Sequence, residues 1–130
     1  RRELGSDVKI FADVLVKHAQ PIGAPDLQMV VQETIERGLA DGVIISGEAT
    51  GNPPSISDLK HAAEAAGRKP VFIGSGASWD NIPELIHYAN GAIVSSSLKR
   101  KGKIDQPIDP IRVRQFVDAM AQGVVQKSDD

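Results

Sequence analysis

Short apolar segments alternate with amphipathic segments along nearly the whole chain, and this alternation limits the possible folds more than any other feature. Four apolar runs have the length and composition of buried parallel strands. They cover residues 8–17, 42–46, 71–74 and 92–95. After each run, apolar residues recur with the spacing of a helix that packs one face on a sheet. The order βαβαβαβα predicts parallel strands joined by right-handed helical crossovers.

Residues that favour helix ends stand at the borders of the amphipathic segments. The predicted N-caps are Asp26, Ser55 or Ser57, and Asp109 followed by Pro110, and the predicted C-caps are Gly38 and Gly67. Their positions agree with the four strands, because each cap lies between an apolar run and the neighbouring helix.

The predicted fold class is α/β, built from four parallel βα units. The chain has 130 residues, whereas a complete (β/α)₈ barrel needs roughly 250. It also begins with Arg1 rather than Met, so we expect a piece of a longer protein. Residues 1–122 are predicted to form a half barrel, and residues 123–130 a polar tail that frays. A complete open sheet of flavodoxin type is the alternative, disfavoured because the first strand carries no acidic cluster.

Composition excludes several classes of function. The net charge of -2 argues against nucleic acid as a partner. No apolar run reaches the length of a membrane span. Cysteine is absent, which fits a cytoplasmic location and removes thiolate metal sites. No compact cluster of His, Asp and Glu has ligand spacing, so the sequence indicates neither a metal nor a cofactor.

The last two predicted strands end in segments suited to an anion. The residues are Gly74, Ser75 and Gly76 after the third strand, and Ser96, Ser97 and Lys99 after the fourth. Glycine turns expose backbone N–H groups, serines add hydroxyl donors, and lysine adds positive charge. A tight turn and a solvated charge run would explain each segment alone. Their occurrence together predicts a phosphate site, because barrels commonly bind phosphate after strands seven and eight.

The first predicted strand directs charged side chains to the face that becomes a barrel interior. Alternation places Asp13 and Lys17 there, where an unpaired charge is costly. Lys17 is the candidate reactive cation or Schiff-base amine, Asp13 would tune its protonation, and His18 would carry protons. A structural ion pair, or a Lys17 that extends into solvent, is the alternative interpretation.

Four further residues are predicted to line the same pocket. Ser46, Gly47 and Thr50 belong to a loop of small and hydroxyl residues after the second strand, and Asn81 opens the helix after the third. Such loops bring backbone N–H groups close to a ligand. They are also common without any ligand.

A weak internal repeat relates two segments of the chain. Residues 40–46 (the first repeat, ADGVIIS) and 89–95 (the second repeat, NGAIVS preceded by Ala) share one pattern two βα units apart. Any helix, turn and buried strand in succession would give similar letters, so a common structural role and coincidence both remain open.

Taken together, these motifs resemble the BtpA family. The resemblance rests on residues 12–14 with Lys17 and His18, residues 40–47 with 49–51, residues 70–76 with Asn81, and residues 91–94 through Lys99 and Gly102 to Asp109. It implies a (β/α)₈ barrel related to ribulose-phosphate-binding barrels, of which this chain would be the C-terminal half. Some members are associated with photosystem I biogenesis or stability. Ser95-Ser96-Ser97 departs from the family's small-residue pattern, because it lacks a glycine.

Two functions follow as hypotheses. The first is a barrel protein that binds a phosphorylated small molecule, such as a sugar phosphate or nucleotide-like compound, with or without catalysis. The second is a non-catalytic assembly or stability factor acting through protein contacts. An isolated half barrel exposes two sheet edges and an apolar face, so we also expect a homo-oligomer or pairing with the missing N-terminal half.

Overall fold

A computed structural model describes residues 3–16, 23–47 and 51–128 of the chain. It contains one parallel four-stranded sheet with helices between the strands. The strands are β1 (Phe11–Val14), β2 (Gly42–Ile45), β3 (Val71–Ile73) and β4 (Gly91–Ala92). The helices are α1 (Leu27–Glu36), α2 (Ile56–Ala66), α3 (Ile82–Leu85) and α4 (Pro110–Ser128). The predicted α/β class is confirmed.

The strands follow one another across the sheet in the order β1-β2-β3-β4. Each βα unit therefore places its strand beside the preceding one, as in successive units of a (β/α)₈ barrel. A doubly wound sheet instead reverses direction at a switch point, which gives a non-sequential strand order. The sequential order thus favours a partial barrel over the flavodoxin-type alternative.

Three predicted N-caps hold the first turns of their helices. The side chain of Asp26 accepts a hydrogen bond from Gln28 N at 3.2 Å, and that of Ser55 accepts one from Asp58 N at 3.0 Å. Asp109 accepts from Ile111 N at 3.0 Å. Of the two serines proposed before α2, Ser55 is the cap, because Ser57 already lies inside the helix.

The helix C-termini follow the sequence less closely. Gly67 is the C-cap of α2 with a φ of 59°, as predicted. In α1 the C-cap is Arg37, and Gly38 comes one residue later, where its N–H still donates to Glu33 O at 2.9 Å. The left-handed residue of this turn is Leu39, with a φ of 56°, rather than the predicted Gly38.

Several predicted boundaries are wrong. β1 covers four residues instead of ten, because Leu15 adopts a φ of 53° directly after Val14 and ends the extended backbone. β4 covers two residues and α3 four, followed by a 3₁₀ turn at Ile86–Tyr88. α4 continues to Ser128, so a helix occupies most of the segment expected to fray.

The core lies between the outer face of the sheet and the helices. Helix α1 contacts β1 and β2, and α2 contacts β2 and β3. The side chains beneath them are almost wholly buried: Val14, Val43, Ile45, Val71 and Ile73 from the sheet, with Val31, Leu59 and Ala62 from the helices. Helix α4 packs against α3, where Gly123 fits against Pro83 and Ile86. This apolar burial supplies most of the driving force for folding.

Within residues 3–16, 23–47 and 51–128, no helix covers the opposite, inner face of the sheet. Phe11 and Phe72 meet there edge to face, with ring centroids 5.0 Å apart. A Cβ on Gly42 would lie 2.8 Å from the Phe11 ring, and one on Gly91 would lie 2.9 Å from the Phe72 ring. The glycines therefore leave space for the two phenylalanine rings. Small and large residues thus alternate on this face, as they do in a barrel interior.

The two repeats have a common structural role at the amino ends of the strands. Asp41 accepts a hydrogen bond from Ile10 N at 2.9 Å, and its own N–H donates to Ile10 O at 2.7 Å. Asn90 does the same with Val71, at 2.9 Å and 2.8 Å. Each side chain thus accepts a hydrogen bond from the backbone at the start of the neighbouring strand. This shared role is a physical reason for the repeated sequence pattern.

None of the helices in the described part of the chain combines the length and apolar composition needed to cross a membrane.

Candidate functional site

The carboxyl ends of β3 and β4 lie side by side. Phe72 pairs with Gly91 and Ile73 with Ala92, and Ile93 N donates to Ile73 O at 2.8 Å. The loops that follow these strands consequently meet and line an open groove of about 490 Å³. Gly74, Ser75, Gly76, Ser96 and Ser97 all line it. The structure therefore brings together five of the six residues predicted to hold phosphate.

Hydrogen bonds fix the floor of this groove. The Ser97 hydroxyl donates to Ala77 O at 2.8 Å, which ties the loop after β4 to the loop after β3. Arg112 Nε donates to Ser97 O at 2.8 Å and joins the start of α4 to both loops. The Ser97 proton is used in its bond to Ala77 O, so toward a ligand this hydroxyl can only accept, whereas Arg112 has guanidinium N–H donors besides the Nε used here.

Arg112 is the charged residue that the sequence analysis missed. It is the one charged side chain among the described residues that line the groove. A guanidinium offers five donors in a planar arrangement that matches phosphate and carboxylate groups. The clue in the sequence was its position two residues after Pro110, because the first turn of a barrel helix faces the carboxyl ends of the strands.

Lys99 makes contacts within its own loop. Its Nζ donates to Ile104 O within the same loop, and Lys99 forms an antiparallel bridge with Ile108. Arg100 N donates to Pro107 O at 3.0 Å at the base of this loop. In the described part of the chain Lys99 does not line the groove. Its contacts with Ile104 and Ile108 stabilise its own loop.

Asn81 shapes the loop after β3 rather than the groove wall. Its Oδ1 accepts from Ser78 N at 2.8 Å, and its Nδ2 donates to Gly76 O at 2.9 Å. Both ends of the amide are therefore engaged with the backbone of the loop. Asn81 is thus placed to position Gly76, which lines the groove.

The glycines near the groove permit close approach between loops. Gly76 has a φ of 77°, and a Cβ there would overlap the backbone of Asn52 and Pro53. Gly47 lies against the same two residues, and a Cβ on Gly74 would overlap Ser46 Oγ. Predicted residues Ser46 and Gly47 thus pack beneath the loops, because small residues are needed where three strand ends converge.

The predicted catalytic residues are only partly described. Asp13 is exposed on the inner face, where it pairs in register with Ile44 of β2. It does not line the groove in the described part of the chain. Lys17, His18 and Thr50 lie outside the described residues. Residues 3–16, 23–47 and 51–128 contain no group of three or more His, Asp or Glu side chains placed to hold a metal ion.

Comparison with known proteins identifies the relatives of this chain. The photosystem I biogenesis protein BtpA of Synechocystis is 63% identical over 127 residues, covering 98% of this chain and 44% of that protein. A protein of Thermococcus kodakarensis is 45% identical over 91% of this chain and 44% of its own length. A protein of Methanocaldococcus jannaschii is 42% identical over 90% and 44%.

The chain therefore spans less than half the length of these curated relatives. A model of the BtpA family matches residues 1–122, which include all four strands, the groove and most of α4. With the sequential parallel sheet, this match establishes that the chain belongs to the BtpA family.

Proposed function

We propose that this chain is part of a protein that acts in photosystem I biogenesis and corresponds to the C-terminal half of that protein. The observation that carries the proposal is the 63% identity to the Synechocystis protein across 98% of the chain. The archaeal relatives, at 45% and 42% identity, have names that assign no function. A cytoplasmic location goes with this proposal, in keeping with a sequence that contains no cysteine.

A chimera tests this proposal. In a Synechocystis strain that lacks its BtpA, the matched segment of the Synechocystis protein is replaced by this chain. We expect photosystem I, measured as the amplitude of P700 oxidation, to return to the wild-type level. A second chimera carries the equivalent Thermococcus segment as a control. If both proteins accumulate equally and this chain fails to restore photosystem I, the proposal is wrong.

The groove supports a second function, the binding of a phosphorylated small molecule. Arg112 supplies a positive charge beside the hydroxyls of Ser95 and Ser96, and Gly76 brings a left-handed turn to the groove wall. This combination of donors and charge suits a phosphoryl group. A non-catalytic factor acting through protein contacts would not need it, so the two functions differ in their requirement for Arg112.

Calorimetry with inorganic phosphate and with ribose 5-phosphate tests the groove. We expect Arg112→Met to weaken binding about tenfold or more, because a guanidinium contact to phosphate is lost. Arg114→Met, at an exposed position on the same helix, is the matched control and should bind as the unaltered chain does. Equal affinities of the two variants, with unchanged helicity, would remove the groove as the site.

The catalytic form of this proposal assigns the chemistry to Lys17, with Asp13 tuning its protonation and His18 carrying protons. An amine can form a Schiff base with a carbonyl substrate, and borohydride then reduces the C=N bond to a stable secondary amine. Mass spectrometry after such treatment with phosphorylated ketoses would locate an adduct at Lys17. Full activity of Lys17→Ala in the chimera would favour the non-catalytic factor.

We further propose that two copies of this chain pair through the inner face of the sheet. Phe11 is 46% exposed and Ile93 53% exposed on that face, and β1 and β4 are both edge strands. Exposed apolar surface beside open strand edges favours association. In the longer relatives, the rest of the polypeptide would cover the same face.

Light scattering tests this pairing at micromolar concentration. We expect a dimer for the unaltered chain and a shift towards monomer for Ile93→Glu, because a carboxylate would be buried in the interface. Ile111→Glu is the control, since Ile111 is 70% exposed on α4, away from the inner face. A monomeric unaltered chain would refute the pairing.

A further inference from the structure

A second cavity lies at the amino end of the sheet, opposite the groove. It has a volume of about 370 Å³ and lies between the C-terminal part of α2 and the segment that leads into β4. We call it the amino-end cavity. Its lining includes Lys60, Glu64, Lys69, His87, Tyr88 and Asn90. None of these residues lines the groove, so the cavity is a separate feature.

His87 contains an unsatisfied polar atom at this cavity. Its Nε2 is buried and has no hydrogen-bond partner within the described part of the chain. A buried polar atom without a partner is unfavourable by about 1–3 kcal/mol, and native proteins contain few of them. His87 is also one of the residues that line the cavity, so its ring can report on binding there.

The charged side chains that line the cavity are mainly basic. Lys60 and Lys69 carry two positive charges against the single negative charge of Glu64. Glu64 Oε2 already accepts a hydrogen bond from Gln28 Nε2 at 3.3 Å. Lys60 Nζ lies 4.8 Å from the centroid of the Tyr88 ring, an arrangement that holds the ammonium group at the cavity. The two ammonium groups and the Asn90 amide are donors that favour a ligand with several oxygen acceptors.

The internal repeat provides an independent indication. Asp41 and Asn90 make the same pair of backbone contacts, so the structural role accepts either a carboxylate or an amide. At the first repeat the carboxylate lies 3.9 Å from Lys9 Nζ. At the second repeat, the amide of Asn90 adds a donor and leaves the cavity without another negative charge. This difference favours an anion beside Asn90 of the second repeat.

We propose that the amino-end cavity binds a small oxyanion, with Lys60 and Lys69 supplying charge and the Asn90 amide supplying a hydrogen bond. The chemical class comprises inorganic phosphate and short dicarboxylates, which fit the volume and present several acceptors. The site is independent of the groove at the carboxyl ends of the strands, so it stands whether or not the groove binds phosphate.

Nuclear magnetic resonance of the ¹⁵N-labelled full chain tests this site with two probes, inorganic phosphate and malonate. We expect saturable shifts of the His87 ring and of the Gly67 and Asn90 amides. Saturation with phosphate alone assigns the site to phosphoryl groups, and saturation with both assigns it to small oxyanions generally. No saturable shift of His87 with either probe would overturn the proposal.

Asn90→Asp is the decisive variant, since it keeps the oxygen that accepts from Val71 N and adds only a negative charge. We expect it to weaken binding about fivefold or more, because like charges a few ångströms apart repel even near water. Asp41→Asn is the matched control and should leave binding unchanged. If Asn90→Asp perturbs folding, the variants Lys60→Met and Lys69→Met replace it, because both lysines are exposed. Unaltered affinity in the folded variants would contradict the assignment.

Discussion

The two repeats share a sequence pattern but occupy different environments. The first repeat contains β2, a four-residue strand with neighbours on both sides, whereas the second contains β4, a two-residue strand at the sheet edge. Ile44 in the first is partly buried, whereas Ile93, at the same position of the second, is 53% exposed. The pattern sets the local geometry of each turn, but the neighbours decide how long the strand is and how deeply it is buried.

This difference shows where the sheet is incomplete. The sequence around β4 is typical of a buried strand, but in the described part of the chain no strand lies beyond it. A neighbour on that side would extend the ladder and cover Ile93, in line with the length of the relatives. The four predictions that follow compare equivalent positions of the two repeats, beginning with the largest effect.

The largest contrast is expected at the third apolar position of each repeat. Ile45→Ala should lower the free energy of unfolding by about 2–5 kcal/mol, because it leaves a cavity under the helices. Val94→Ala should lower it by about 1 kcal/mol, since Val94 is only half-buried. Urea denaturation of both variants measures the difference. Equal losses would show that the edge strand is as well packed as the central one.

The glycine that opens each strand gives the second contrast. Gly42→Ala should cost about 1–3 kcal/mol, because the new Cβ would lie 2.8 Å from both the Phe11 ring and Pro70 O. At Gly91 the new Cβ meets only the Phe72 ring, which can move away at the open inner face. We expect the loss at Gly91 to be less than half as large in thermal denaturation. A larger loss at Gly91 would mean that the inner face is already covered.

The side chain before each glycine gives the third contrast. Asn90→Ala should cost about 1–2 kcal/mol, because it leaves the N–H of the buried Val71 without its acceptor. Asp41→Ala should cost less, since Ile10 is 39% exposed and its N–H can reach water. Urea denaturation of the two variants provides the measurement. A larger loss of stability for Asp41→Ala than for Asn90→Ala would reverse the order.

Much of the fold could be predicted from sequence, because apolar periodicity and caps are local properties. The four strands, their parallel order and the caps Asp26, Ser55 and Gly67 were all predictable. Strand length was not. β1 ends because Leu15 takes a left-handed conformation that nothing in its side chain favours, and β4, at the edge of the sheet in the described part of the chain, covers two residues. The lengths of both strands depend on tertiary structure rather than on the local sequence.

The candidate site shows the same division. That Gly74–Gly76 and Ser96–Ser97 meet followed from the rule that parallel strands end at one edge of the sheet. That Lys99 braces its own loop while Arg112 lines the groove did not follow, because it depends on the path of the chain after β4. The amino-end cavity was not predicted either, since its lining residues come from separate elements.

The smallest contrast concerns the one charge that distinguishes the repeats. Asp41→Asn makes the first repeat match the second and removes the pairing with Lys9, whose side chain is 69% exposed at 3.9 Å. An exposed pair at this distance contributes little, so stability should fall by no more than about 0.5 kcal/mol, and less at high salt. The amide oxygen still accepts from Ile10 N, and that bond carries the structural role. A loss above about 1 kcal/mol in urea denaturation, insensitive to salt, would show that the first repeat requires its carboxylate, and the two repeats would then be alike in backbone geometry only.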